Sequence, residues 1–180
     1  MTAQMQRIVL ASRPKAAPQP ENFRFETAPI PVHGAGQMLV RVIWLSLDPY
    51  MRGRMDDGAS YAQPVPIGGV MEGGAVGQIV ASNIGGFKVG EFVNGPFGWQ
   101  SHAISDGTKV RKLDPALAPI STAVGVLGMP GITAFVGLND HGRPKAGETL
   151  VVSAATGAVG SLVGQLGKAY GLRVVGVAGG

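Results

Sequence analysis

Apolar residues in the first two-thirds of the chain come in short runs cut by glycine, proline and asparagine, a spacing that predicts strands rather than helices. The candidate strands are residues 8–11, 24–27 and 38–47, then the glycine-laced run 68–81 and the shorter stretches 89–92 and 100–104. Glycine inside an apolar strand marks a bend or the close approach of another backbone. Many short strands joined by glycine turns predict a compact, barrel-like β domain. The pattern changes between residues 120 and 145. Residues 119–127 predict a short helix that stops near "GMPG", and residues 132–138 a second helical segment set between Gly131 and the Gly142/Pro144 break. The unbroken apolar run 150–152 is expected of a buried parallel strand. A helix over 158–170, ended by Gly171, leads to a second strand in "RVVGVAGG".

The turn between that strand and helix reads "AATGAVG", with Ala154, Gly157 and Gly160 spaced as A-x-x-G-x-x-G. Small residues at these places let the chain turn tightly, let backbone approach a pyrophosphate and let the helix pack on its strand. The helix N-terminus would then aim free N–H groups and its positive end at phosphates. On this reading Ala155, Thr156, Gly157, Ala158, Val159 and Gly160 bind cofactor, and Gly180 joins them from the end of the second strand. The competing reading is a structural βαβ turn. Thr156 fits either a helix cap or a hydroxyl contact to phosphate. The acidic or basic residue that distinguishes NAD from NADP belongs at or beyond the end of the second strand, so the turn does not choose between them. Two strands and one helix also leave apolar faces uncovered, from which we expect the chain to be a piece of a longer protein.

Composition narrows the classes. With 45% hydrophobic and 14% charged residues the chain is a folded protein rather than a disordered one. The net charge of +4 comes without a basic tail or basic helix, which disfavours nucleic acid as a partner and leaves an anionic small ligand. The absence of cysteine excludes disulfides, thiolate chemistry and cysteine-ligated zinc. His33, His102 and His141 are scattered without a metal-ligand spacing and read as surface or packing residues. No apolar run is long enough for a secretory signal or a membrane span, and the cytoplasm is the default expectation.

The stretches "LASRP", "PENF", "LSLDPYMRGRM" and "GVLGMPGITAFVGL", followed by residues 147–180, resemble the medium-chain dehydrogenase/reductase superfamily. Within it the chain is similar to the zinc-independent alkenal and enone reductases, the group that includes prostaglandin reductases and bacterial curcumin reductases. The resemblance implies a GroES-like catalytic domain over residues 1–125. Residues 126–180 are then linking helices and the start of a Rossmann domain that is truncated here. It implies NADP(H) as cofactor and a small enone or enal as substrate, and family members are often dimers. Zinc-dependent relatives carry Gly-His-Glu where this chain has Met71 and Glu72, so no metal is expected.

Reducing an activated C=C bond calls for a held hydride donor, hydrogen-bond donors at the carbonyl oxygen and a proton source. The resemblance places Tyr50, in the "DPYMR" element, beside nicotinamide and substrate, and makes Tyr61 a substrate contact; the alternatives are a packing tyrosine and the cap of a surface loop. Met129 and Thr133 resemble residues around the nicotinamide, against the alternative of packing at a domain junction. Arg52 is expected to pair with Asp48 rather than meet phosphate. Trp99 and Phe97 are expected as apolar walls, and Asp56 and Asp57 as solvated acids. Quinone reduction within the same superfamily, or a non-catalytic binding role, are the rival functions.

Overall fold

Residues 3–58 and 60–179 are described by the computed structural model, which divides into two compact units, Met1–Ile120 and Ser121–Gly180. In the first unit β1 (Gln4–Leu10) pairs antiparallel with β2 (Phe23–Pro29). A separate antiparallel sheet is built from β3 (Met38–Leu45), β4 (Ala75–Ser82), β5 (Phe92–Gly95), β6 (His102–Ser105) and β7 (Arg111–Leu113). Its order is β6-β3-β4-β5-β7. The glycine-laced character of β4 has a direct cause at Gly77. A Cβ there would lie 2.5 Å from Val40 Cγ1 and 2.6 Å from the Arg41 carbonyl oxygen, beside a bulge in β3.

The barrel expected from the sequence does not form. Among the described residues the outermost strands β6 and β7 have no pairing with each other, so the sheet is open. Closure needs a continuous ladder with matched tilt and stagger. The edges here are strands of four and three residues, and β1 meets the rest through the isolated bridges Arg7↔Gln100 and Val9↔Val70. The architecture is therefore a mixed α/β arrangement of open antiparallel sheets and one parallel pair, not a closed GroES-like barrel.

Two apolar clusters hold the first unit together. One gathers Met38, Val40, Ala75, Ile79, Val93, Phe97 and Ala103 on the sheet. The other gathers Leu10, Met55, Val65 and Met71, with Ile8, Phe23 and Trp99 against it. Full burial of side chains this size contributes about 1.5–3 kcal/mol each, so the second cluster is a firm base for whatever is mounted on it.

The second unit carries α2 (Met129–Val136), continued by a wider helical turn, Gly137–Gly142, that ends at Arg143 with φ 47°. The helix expected from residue 132 begins three residues earlier because Pro130 suits its first turn. The helix expected over 119–127 is a 3-10 segment, Ile120–Val124. Then β8 (Thr149–Ser153), α3 (Gly160–Ala169) and β9 (Arg173–Val177) make a βαβ unit whose strands run parallel, Thr149 opposite Arg173 and Ser153 opposite Val177. Val151 and Val177 stay exposed in this pair, as expected of two strands under one helix. No helix among the described residues is long and apolar enough to cross a membrane.

Candidate functional site

The "DPYMRGRM" element contains a helical turn. β3 stops at Leu45, and the chain turns at Pro49 (φ −56°) into a single helical turn, α1 (Tyr50–Gly53). Met51 and Met55 are both buried, at 3% exposure, and Met55 belongs to the second apolar cluster. With these methionines turned inward, Tyr50 and Arg54 are neighbours at the i, i+4 spacing of one helical face. Arg54 is itself buried, and its guanidinium carbon lies 5.8 Å from the ring centre of Tyr50 and 4.4 Å from that of Tyr61. The structure thus brings Tyr50 and Tyr61, eleven residues apart, to one cation.

Glu72 answers the charge. Its Oε1 lies 2.6 Å from Arg54 Nε as an ion pair, without the alignment of a hydrogen bond. Asp48 Oδ2 and Trp99 Nε1 are also buried without a hydrogen-bond partner. Burial, followed by the negative charges of Glu72 and Asp48, pushes the Tyr50 phenol above its ordinary value of 10, with Arg54 opposing more weakly. Tyr50 is therefore a neutral hydrogen-bond donor at physiological pH. Met71, at the place where zinc-dependent relatives carry histidine, is fully buried in the second cluster. Its backbone is pinned by hydrogen bonds to Ile8 and from Trp99.

Arg52 departs from expectation. It pairs with Asp56 at 2.6 Å rather than with Asp48; both acids are four residues away, but Asp48 lies ahead of the helical turn, whose N-cap is Pro49, and Arg52 also donates to the carbonyls of Pro14 and Ala16. Asp57 likewise carries a partner, Arg13, at 3.1 Å. Trp99 stacks on Phe23, centroids 5.6 Å apart, while Phe97 is buried in the sheet cluster.

The glycine turn lies in the second unit, at the end of β8. Ala154 has φ 49°, and its carbonyl accepts from Gly157 N–H at 2.9 Å, closing the turn. A Cβ on Gly160 would run into that carbonyl, which explains the glycine there. At Gly157 the nearest atom to such a Cβ is the same oxygen at 3.2 Å, and the remaining space is open. A pocket of about 390 Å³ lies along Ser153, Ala154, Gly157, Val159, Gly160 and Val163. A close-approach backbone at a helix N-terminus fits the pyrophosphate of a dinucleotide. Ala155 is half-buried, and Thr156, Ala158 and Val159 are exposed around the turn. Thr156 does not cap α3; Val159 stands at the N-cap and no side chain caps it. Gly180 lies outside the described residues.

Met129 and Thr133 are exposed on α2, one turn apart. The Thr133 hydroxyl donates to the Met129 carbonyl at 2.7 Å, which leaves its oxygen as an acceptor. Among the described residues no group of three or more His, Cys, Asp or Glu side chains is placed to hold a metal ion.

Residues 6–113 match the family model of the N-terminal domain of oxidoreductase. The chain is 58% identical over 174 residues, 97% of its length, to the NADPH-dependent curcumin reductase of Escherichia coli K12. The chain belongs to the medium-chain dehydrogenase/reductase superfamily, in its zinc-independent alkenal and enone reductase group. A more distant member of that group, prostaglandin reductase 1 of Rattus norvegicus, is 43% identical over 165 residues, 90% of the chain. The crystal structure of CurA from Vibrio vulnificus in complex with NADPH superimposes with a TM-score of 0.91 at 57% identity, over 97% of this chain and 52% of that one. The chain spans about half the length of the curated reductases it matches, 50% and 48% for the two named.

Arg54 and Glu72 are the site residues that sequence reasoning missed. The i, i+4 spacing of Tyr50 and Arg54 was a usable signal once the element is taken as a helical turn. Nothing local marks Glu72 as the partner of Arg54.

Proposed function

We propose that the protein is an NADPH-dependent reductase of the C=C bond of α,β-unsaturated ketones and aldehydes. The observation that carries this reading is the half-buried, protonated Tyr50 phenol set beside Arg54 and Tyr61. Likeness to the NADPH-dependent curcumin reductase of Escherichia coli supports the substrate class. Likeness to the NADPH complex of Vibrio vulnificus CurA supports the cofactor.

NADPH, when bound, supplies the hydride that goes to the β-carbon. The rest falls to the chain. The turn from Ala155 to Gly160 would hold the pyrophosphate with backbone N–H groups. Met129 and Thr133 would hold the nicotinamide end, with the Thr133 oxygen as a hydrogen-bond acceptor. The Tyr50 hydroxyl donates to the substrate carbonyl oxygen as enolate charge develops there, a role that needs the phenol to stay protonated. Tyr61 orients the same carbonyl. Its hydroxyl and that of Tyr50 are the candidate routes by which a proton reaches the α-carbon.

The test is NADPH consumption with a simple enone by the protein expressed from its complete reading frame, with NADH as control and the product identified. A saturated ketone is the expected product. An allylic alcohol, or consumption only with a quinone, overturns the reading.

A further inference from the structure

We infer that Arg54 is a positioning residue: it holds the Tyr61 ring in one orientation and so sets how tightly substrate is bound. The inference rests on the proposed contact between Tyr61 and substrate. Tyr61 is 85% exposed, so apolar packing does little to fix its ring. What it has is the Arg54 guanidinium, 4.4 Å from the ring centre. Arg54 is only 6% exposed and so is poorly placed to meet substrate itself. It acts through the ring.

Arg54 grips this segment twice. Its carbonyl accepts from Val65 N–H at 2.8 Å, while its side chain reaches back to Tyr61. Arg13 tightens the same base by donating to the carbonyls of Met55 at 2.8 Å and Val65 at 3.4 Å. Behind the guanidinium, Glu72 balances the charge and fixes its place at 2.6 Å. A planar, delocalised cation can stack on a ring and meet a carboxylate at its edge together; a lysine ammonium, a hydrated point charge, cannot reproduce both.

The test is Arg54→Lys in the protein from its complete reading frame, which keeps the charge beside Glu72 and removes the plane. Chymotrypsin cleaves after Tyr61 only when the ring is released, so native-state cleavage there, located by mass spectrometry, reads the hold directly. The variant is expected to speed that cleavage, and to raise KM for 4-phenyl-3-buten-2-one, by roughly three- to tenfold, with kcat changed less than about twofold. Tyr61→Leu should raise KM similarly, and adding Arg54→Lys to it should raise it no further. Wild-type cleavage and KM in Arg54→Lys, or full additivity of the two substitutions in KM, overturns the inference. If Arg54→Lys does not fold, Glu72→Gln decides: loosening the guanidinium is expected to speed cleavage after Tyr61, and cleavage at the wild-type rate overturns the hold. Lack of turnover by the wild-type protein would instead defeat the proposed function, while the cleavage ratio still judges Arg54.

Discussion

Ala154→Gly is a sharp test of the glycine turn, because two opposing effects can be weighed against each other. Ala154 has φ 49°, in the left-handed region, where an L side chain costs about 1–2 kcal/mol through contact of its Cβ with the following carbonyl. Its methyl is exposed, so removing it loses little burial. Glycine adds freedom to the unfolded chain, which costs about 0.4–1 kcal/mol. The difference is a net gain of up to about 1.6 kcal/mol for the unit that carries β8 and α3. Because the two units need not unfold together, the gain should be read locally, as slower native-state hydrogen exchange of the β8 amides. The hydrogen bond from Gly157 to the carbonyl of residue 154 involves backbone alone, so the turn should persist and NADPH affinity should hold. Faster exchange in the variant would refute the reasoning, since backbone strain at Ala154 would then be smaller than the entropy glycine adds.

Gly160→Ala should do the opposite: its Cβ meets the Ala154 carbonyl, so we expect a destabilisation of about 1–3 kcal/mol and at least roughly tenfold weaker NADPH binding by calorimetric titration. Tyr50→Phe should lower kcat for an enone by roughly 10²-fold with the melting temperature little changed, as loss of one donor to a developing oxyanion does. The raised Tyr50 value also fixes a sign. Its contribution to stability is complete below pH 10 and is lost as pH rises through the raised value, so Tyr50→Phe should flatten the alkaline fall in urea midpoint. Glu26 works at the other end of the scale. Arg24 first and then Arg7 hold its carboxyl below 4.5, so its contribution is present above that value and is lost as pH falls through the lowered one. Glu26→Gln should flatten the acid limb of the same titration.

What the chain shows in its local pattern, the structure keeps. The apolar run at 150–152 lies in a parallel strand, the helix that follows ends next to Gly171, and the apolar stretch 38–47 supplies β3, an inner strand of the antiparallel sheet. These are properties of residues near one another in sequence. β7 escaped notice because Arg-Lys-Leu is too short and too charged to show an apolar period; it is an edge strand, where charge is ordinary. Barrel closure was misjudged because it depends on how edge strands meet, not on what each strand contains. The site divides the same way. Tyr50, Tyr61 and the glycine turn are legible as motifs, whereas the Arg54–Glu72 pair joins an α1 flank to the irregular stretch ahead of β4. Arg52 was given the wrong acid because Asp48 and Asp56 both lie four residues from it, and spacing alone does not choose between them.

The second apolar cluster has a kinetic consequence. It joins side chains from β1, from the first residue of β2, from the turn after α1 and from beyond residue 70, and Arg13 bonds to carbonyls 42 and 52 residues away. Contacts of such long sequence separation are slow to form, because loop closure must be met before they stabilise anything. In the unit of β8, α3 and β9 the strands pair across 24 residues, a shorter span. During folding, then, the cofactor turn should take shape early and the tyrosine site late. Substitutions in the cluster under Tyr50 should mainly speed unfolding, with low φ-values, while those in the βαβ unit slow its folding.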